Sequence, residues 1–416
     1  MIRQTCCHPM VGAVSSSAGL LAVAQLFASK KGNLGAVWVS AHASNLRSWH
    51  ARVRGGLLKL LIQPDDGVDP IVKAIKKAKK IVQILIFRFD RTEIERALVD
   101  AVERGVFVHA LIAFTNRGGE KRLRDLETEF LAKGITVART SGDLVRYHGK
   151  MLIIDRKELY VLGFNFTHLD MDRSRSFGLM TRNPKLVQEA TRLYAADTKR
   201  QEFSCQHSNL VVSPENARKQ LSAFIKGAKR ELLIYDPKVS DKQMLARLRD
   251  RNDAGVKIRI IGHTSGQALS TRNLRIRLHT RTIIRDRRDA FIGSQSLKRI
   301  ELDSRREIGI IFRDRDIVAE LRRVFEDDWA RSERVKPAKP VKLPSKAAKK
   351  VANVVTKRLL IGPIAKQVEK AIRKNGTKIH PKDVKKTMRV AVNQSVRQAV
   401  EKVARDAVVE VLDRAG

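Results

Sequence analysis

"YHGKMLIID", residues 147–155, carries a histidine, a lysine two places on and an aspartate seven places past the histidine. A strand has a side-chain period of two, so His148 and Lys150 would project from one face. The apolar Met151-Leu152-Ile153-Ile154 run would carry the strand through a core and deliver Asp155 at its far end. One basic nitrogen beside one fixed cation suits an anionic, phosphorylated substrate. A single such pattern is unspecific, but the chain has two. "LHTRTIIRD", residues 278–286, places His279, Arg281 and Asp286 at the same spacing, with arginine for lysine.

The two neighbourhoods align without a gap at an offset of 131, from His148 on His279 to Gly178 on Gly309. Upstream the offset is 150: "KAIKKAKK" (73–80) matches "AFIKGAKR" (223–230), and Gly105-Val106 matches Gly255-Val256. The first half therefore holds an extra stretch of 19 residues within "FTNRGGEKRLRDLETEFLAKGITVART". A repeat of this kind organises every other reading of the fold.

Within the repeat, hydrophobic periodicity alternates between strand and helix. "LLKLLIQ", "DPIVKAIKKAKK", "IVQILIF", "TEIERALVDAVERG" and "VFVHALIA" are answered by "NLVVS", "ARKQLSAFIKGAKR", "ELLIYD", "DKQMLARLRDRNDAG" and "VKIRIIG". This order predicts α/β units on a largely parallel sheet, each followed by a hairpin that bears the motif. The predicted organisation is a leader over 1–55, a first half over 57–204, a second over 205–330 and a tail over 335–416.

Charge is the outstanding bulk property. The 416 residues include 83 Lys+Arg against 44 Asp+Glu, a formal net charge of +39. Such an excess favours polyanionic partners, either nucleic acid or an anionic lipid surface. The tail begins with a Lys/Pro linker, "KPAKPVKLPSKAAKK", and carries 21 Lys+Arg against 6 Asp+Glu. Its last stretch places Val384, Met388, Val392, Val396, Val400 and Val403 on one stripe, as an amphipathic helix would. Three cysteines, Cys6, Cys7 and Cys205, make neither a disulfide framework nor a zinc set. Met10–Ala28 carries no charge, but three serines and two glycines make it a weak signal or membrane segment. The expectation is a cytoplasmic protein at the inner face of the membrane, with export by the weak signal as the alternative.

The paired motifs resemble those of the phospholipase D superfamily, which includes phospholipases, cardiolipin synthases, phosphatidylserine synthases and nucleases. The resemblance covers about residues 57–330. The superfamily's G-S-x-N element reads Gly293-Ser294-Gln295-Ser296 in the second half and Leu162-Gly163-Phe164-Asn165 in the first. The resemblance implies two α/β halves related by a pseudo-twofold axis, with one imidazole as nucleophile and the other as general acid. Lys150 and Arg281 would hold the phosphoryl oxygens. Asp155 and Asp286 complete the motif, and Asn165, Ser294 and Ser296 are candidate substrate contacts. No metal or other cofactor is implied.

Two departures stand out, the first being Arg281 where lysine is usual. The superfamily commonly carries an acidic residue 28 positions past each histidine. Glu307 fills that place in the second half and Ser176 stands there in the first. His148 is therefore expected to lack a carboxylate orienter and His279 to have one. His148 is taken as nucleophile and His279 as acid, with the reverse open. The expected function is a phosphodiesterase or phosphatidyltransferase acting on phospholipid at an anionic membrane. A nuclease of the same superfamily is the alternative, and a non-catalytic phosphate- or nucleic-acid-binding member is the third reading.

Overall fold

The computed structural model describes residues 57–115, 120–265 and 269–334, with residues 353–354, 383, 386–396 and 399 of the tail. The expected leader and most of the expected tail lie outside the described residues. Residues 386–396 are helical, with Met388, Val392 and Val396 half-buried and Val390 exposed.

In the first half, strands β1 (Leu58–Gln63), β2 (Ile81–Ile86), β3 (Phe107–Ile112), β4 (Thr136–Arg139), β6 (Met151–Ile154), β7 (Glu158–Leu162) and β8 (Ser174–Thr181) form one sheet. Its order is β1-β8-β7-β6-β2-β3-β4. The two-residue strand β5 (Arg146–Tyr147) leaves it for the other half. In the second half, β9 (Leu210–Ser213), β10 (Glu231–Val239), β11 (Lys257–Thr264), β12 (Ser270–Asn273), β14 (Arg281–Arg285), β15 (Asp289–Gly293), β16 (Arg305–Phe312) and β17 (Glu333–Arg334) repeat the plan. Strand β13 (Arg277–Leu278) is the counterpart of β5.

The expected largely parallel sheet is corrected. Among the described residues parallel pairing is confined to β2, β3 and β4, to their counterparts β10, β11 and β12, and to the short strands β5 and β13 that pair with β16 and β8. The remainder is an antiparallel meander, β6-β7-β8, and the first strand pairs with β8 rather than β2. Tight turns explain the meander. Asp155-Arg156 and Asp286-Arg287 all take positive φ, between 52° and 58°, and the N–H groups of Lys157 and Arg288 donate to the carbonyls of Ile154 and Arg285, closing three-residue hairpin loops. The extra stretch of the first half is the helix Glu120–Ala132 with its flanking turns, placed between β3 and β4.

Helix boundaries follow local chemistry. Asp69 and Pro70 open the helix Asp69–Lys77, and Lys76 and Lys77 close it against its dipole. Asn183 caps Pro184–Lys199 by accepting from the N–H groups of Lys185 and Leu186. Asp314 does the same for Arg315–Arg331. These two long helices contribute to a core shared by both halves, including Ile153, Leu179, Leu193, Ile284, Ile308 and Phe325. Each half keeps a second core against its shorter helices. The exchange of short strands is what positions the site: β5 pairs with β16, and β13 pairs with β8.

Candidate active site

His148 and His279 each sit just past an exchanged strand. The backbone N–H of His148 donates to the carbonyl of Arg306 at 2.7 Å, and that of His279 donates to the carbonyl of Arg175 at 3.0 Å. Each imidazole is thus pinned to the strand of the opposite half. The residue after His148 is closely packed, whereas the second half makes the same approach with Thr280 in that place. A Cβ on Gly149 would lie 2.7 Å from Cδ1 of Ile308, closer than real contacts allow.

The His148 ring is buried against Phe87, edge to face at 4.5 Å. Its Nδ1 lies 3.0 and 2.9 Å from the two carboxylate oxygens of Glu307. Nζ of Lys150 lies 2.9 Å from Nε2 and 3.0 Å from Nδ1. With Nδ1–H given to Glu307, the Nε2 lone pair faces Lys150, which a bound phosphoryl group would draw away. Burial holds the His148 pKa well below its ordinary value, and the charges of Lys150 and Arg281 add to that. Burial also lowers Lys150 to about 7, with Glu307 working upward and Arg281 downward. Glu307, completely buried, is raised by desolvation and held back by Lys150 and a hydrogen bond from Ser294.

His279 is equally buried. Burial first, opposed by Asp170 and aided by Arg281, Arg277 and Lys150, keeps its pKa well below the ordinary value. The charges of Lys150 and Arg281 act on both imidazoles, and the strand exchange sets each motif against the opposite half. Arg281 donates from Nε to Oγ of Ser296 at 3.1 Å and from Nη1 to the carbonyl of His279 at 2.7 Å.

A family model described as cardiolipin synthase, PLD-like domain, matches residues 71–198 and 221–329, over half of the chain. The chain belongs to this family. No curated protein matches it. Among solved structures it is similar to a phosphatidylserine synthase from Haemophilus influenzae Rd KW20. The TM-score is 0.55 at 12% identity, covering 74% of this chain and 97% of that one. It is also similar to a polyphosphate kinase from Porphyromonas gingivalis, with a TM-score of 0.57 at 18% identity. That match covers 68% of this chain but 53% of the kinase, so the chain spans about half the kinase's length. Likeness at these identities concerns the fold, which is the two-half PLD-like α/β architecture. Family membership supports chemistry at a phosphodiester.

Several sequence expectations change within this PLD-like frame. Glu307 orients His148, not His279, because β16 passes beside the first histidine. Asp155 and Asp286 are not in the site. The Asp155 carboxylate accepts the backbone N–H groups of Lys79, Lys80 and Ile81 at 2.7–3.2 Å. Asp286 does the same for Lys229, Arg230 and Glu231. Each ties its hairpin turn to the entry of a parallel strand. Ser294 is turned toward the backbone of Ile308, accepting its N–H at 3.1 Å. Asn165 gives its side-chain amide to Asp170 at 2.6 Å, while its Oδ1 has no partner. Sequence reasoning missed Phe87 and Asp170. Phe87 ends an apolar strand and carries no chemical signal. Asp170 left one sequence signal, its alignment with an acidic residue, Glu301, at the 131 offset, but nothing in the sequence ties it to His279.

Proposed function

We propose that this PLD-like protein cleaves or transfers a phosphodiester of phospholipid through a covalent phosphohistidine. Nε2 of neutral His148 attacks phosphorus as the bond to the leaving alcohol breaks, and His279 gives its proton to the departing alkoxide. Water or an acceptor alcohol then passes its proton to His279 and attacks phosphorus, breaking the N–P bond and freeing His148. Lys150 and Arg281 face the non-bridging oxygens and offset the charge that gathers there. His148 suits the nucleophilic role because Glu307 engages Nδ1 with both oxygens and leaves Nε2 beside Lys150.

One observation carries the choice of lipid. Val145 and Ile276, three residues before their respective histidines, are 58% and 41% exposed. Leu169 and Ile300, adjacent to Asp170 and Glu301, are 46% and 42% exposed. Both pairs are equivalent at the 131 offset, and Val145 donates its N–H to Ser304, at the end of the short helix that carries Ile300. Four large apolar side chains repeated by the pseudo-twofold beside the site suit acyl chains or a bilayer surface better than a sugar–phosphate backbone. Exposed Arg173, Arg275 and Arg299 stand among them and would meet anionic headgroups. The formal charge of +39 favours nucleic acid as the second reading.

The test offers the full chain radiolabelled phosphatidylglycerol in vesicles and single-stranded DNA, both in EDTA. Lipid turnover is expected, together with its loss in a Val145→Asp/Ile276→Asp double variant that still cleaves bis(4-nitrophenyl) phosphate. Cleavage of DNA with intact vesicles would establish the nuclease reading instead. Phosphate binding without turnover of any diester would leave a binding protein.

A further inference from the structure

We infer that Asp170 is the positioning carboxylate of His279, taking over the task that Ser176 leaves undone. The pseudo-twofold pairs Ser176 with Glu307, so the residue expected to orient His279 is a serine. Its hydroxyl is fully buried and has no hydrogen-bond partner. Nδ1 of His279 is likewise buried and unpartnered by hydrogen-bond geometry. The nearby carboxylate is that of Asp170, with Oδ2 at 3.4 Å from this nitrogen. A small rotation of the ring would close that gap to a hydrogen bond.

Asp170 is built to stay ionised in this position. It begins from the short helix His168–Asp172, capped by Thr167, and is itself buried. Burial works to raise its carboxyl, but the charges of His279 and Arg277 and the N–H of Asn165 outweigh that and leave it far below the ordinary range. Oδ1 accepts from Arg277 at 2.6 Å, and Oδ2 accepts from the backbone and side-chain nitrogens of Asn165 at 2.8 and 2.6 Å. The second half shows what the position does without this added role. Glu301 accepts the N–H of Ser296 at 2.7 Å, as Asp170 accepts that of Asn165, but Glu307 has already taken Nδ1 of His148. The two imidazoles are therefore oriented by carboxylates from different places in the repeat, one on a strand and one on a helix.

The consequence is unequal partners. Glu307 offers both oxygens to His148. Asp170 is shared with Arg277 and Asn165, so His279 is held more loosely and feels less of its charge. The groups facing His279 are Asp170, Arg277, Arg281 and Lys150. Of these, Asp170 alone favours the proton that a general acid must carry. The kinetic part of this inference rests on the proposed chemistry; the titration part does not.

The experiment follows the His279 ring by ¹⁵N NMR in the full chain, with a His279→Gln spectrum for assignment. Asp170→Asn keeps an acceptor for Asn165, so folding is expected to survive and is checked by circular dichroism. Asp170→Asn is expected to lower the His279 pKa by about one unit or more, the effect of losing an adjacent carboxylate. Asp170→Glu, which keeps the charge, is expected to titrate near the parent. Adding Ser176→Glu to Asp170→Asn is expected to raise the His279 pKa again and to restore turnover that Asp170→Asn cuts by about 10²-fold. A purely structural Asp170 would give no such rescue. If the ring titrates unchanged in Asp170→Asn, the inference is overturned, whatever the activity. If the titration shifts while no phosphodiester is turned over, the inference stands and the proposed reaction falls.

Discussion

Glu307 and His148 lie 159 residues apart and belong to opposite halves, yet both carboxylate oxygens reach Nδ1 within 3.0 Å. The link exists because Arg305 and Arg306 of β16 pair with Arg146 and Tyr147 of β5. The strand exchange that joins the halves also brings the orienting carboxylate. Neither half holds an oriented His148 by itself.

Glu307→Gln should leave the fold intact and reduce turnover by about 10²- to 10⁴-fold, the range found when the carboxylate behind a catalytic imidazole is neutralised. The measurement is single-turnover kinetics on vesicles beside a thermal melt. An unchanged rate with an unchanged melt would remove Glu307 from the mechanism.

His148→Ala and His279→Ala should each abolish nearly all turnover, and the double variant should be scarcely worse, because the pair acts as one unit. In the proposed scheme His148→Ala leaves no acid-labile phosphoryl adduct, whereas His279→Gln accumulates it from bis(4-nitrophenyl) phosphate, whose leaving group needs no acid. EDTA is expected to leave the parent rate unchanged, since side chains carry every proton and charge in the scheme. A fully active single variant would sink it.

Lys150 gives the site a pH signature. Burial above all lowers its pKa to about 7, so it loses its charge just above neutrality. Sulfate stays dianionic through this range and is a clean probe. Its affinity by calorimetry should weaken as pH rises from 6 to 9, by up to about tenfold per unit for one linked proton. Lys150→Met should bind more weakly and without that slope above pH 7. The stability linkage has the same origin. Between about pH 7 and 10.5 the unfolded chain holds a proton on Lys150 that the folded one does not, so this group's contribution to stability rises with pH across that window.

Asp155→Ala should be a stability variant. Burial raises the Asp155 carboxyl, and the N–H groups of Ile81, Lys79 and Lys80 together leave it below the ordinary range. Removing it loses three hydrogen bonds to a charged acceptor, and because the N–H groups of Lys79 and Lys80 are open to water the cost is about 1 kcal/mol. Tm should drop while turnover per folded molecule stays near the parent value. A variant that folds as stably as the parent but is inactive would return Asp155 to the site.

Much of this protein was legible in its sequence because local chemistry is periodic. Alternation of apolar residues marks strands, apolar spacing of three and four marks helices, and a repeated H-x-K/R spacing marks one face of two strands. Those rules put His148 beside Lys150 and His279 beside Arg281 within each motif, although the structure sets His148 and Lys150 in the link between β5 and β6 rather than on a strand. The partner of a side chain across the halves is another matter. Whether Glu307 serves His148 or His279 depends on which strand β16 lies against, and sequence spacing counts residues along one chain, not across a sheet. The roles of Asp155 and Asp286 turn on length along the strand: five rises separate Asp155 from Lys150, about 16 Å, too far to share a phosphate. Asp170 came into view only when packing left two polar groups, Ser176 Oγ and His279 Nδ1, buried without partners. Burial makes an unmet hydrogen bond costly, and burial is decided by tertiary structure.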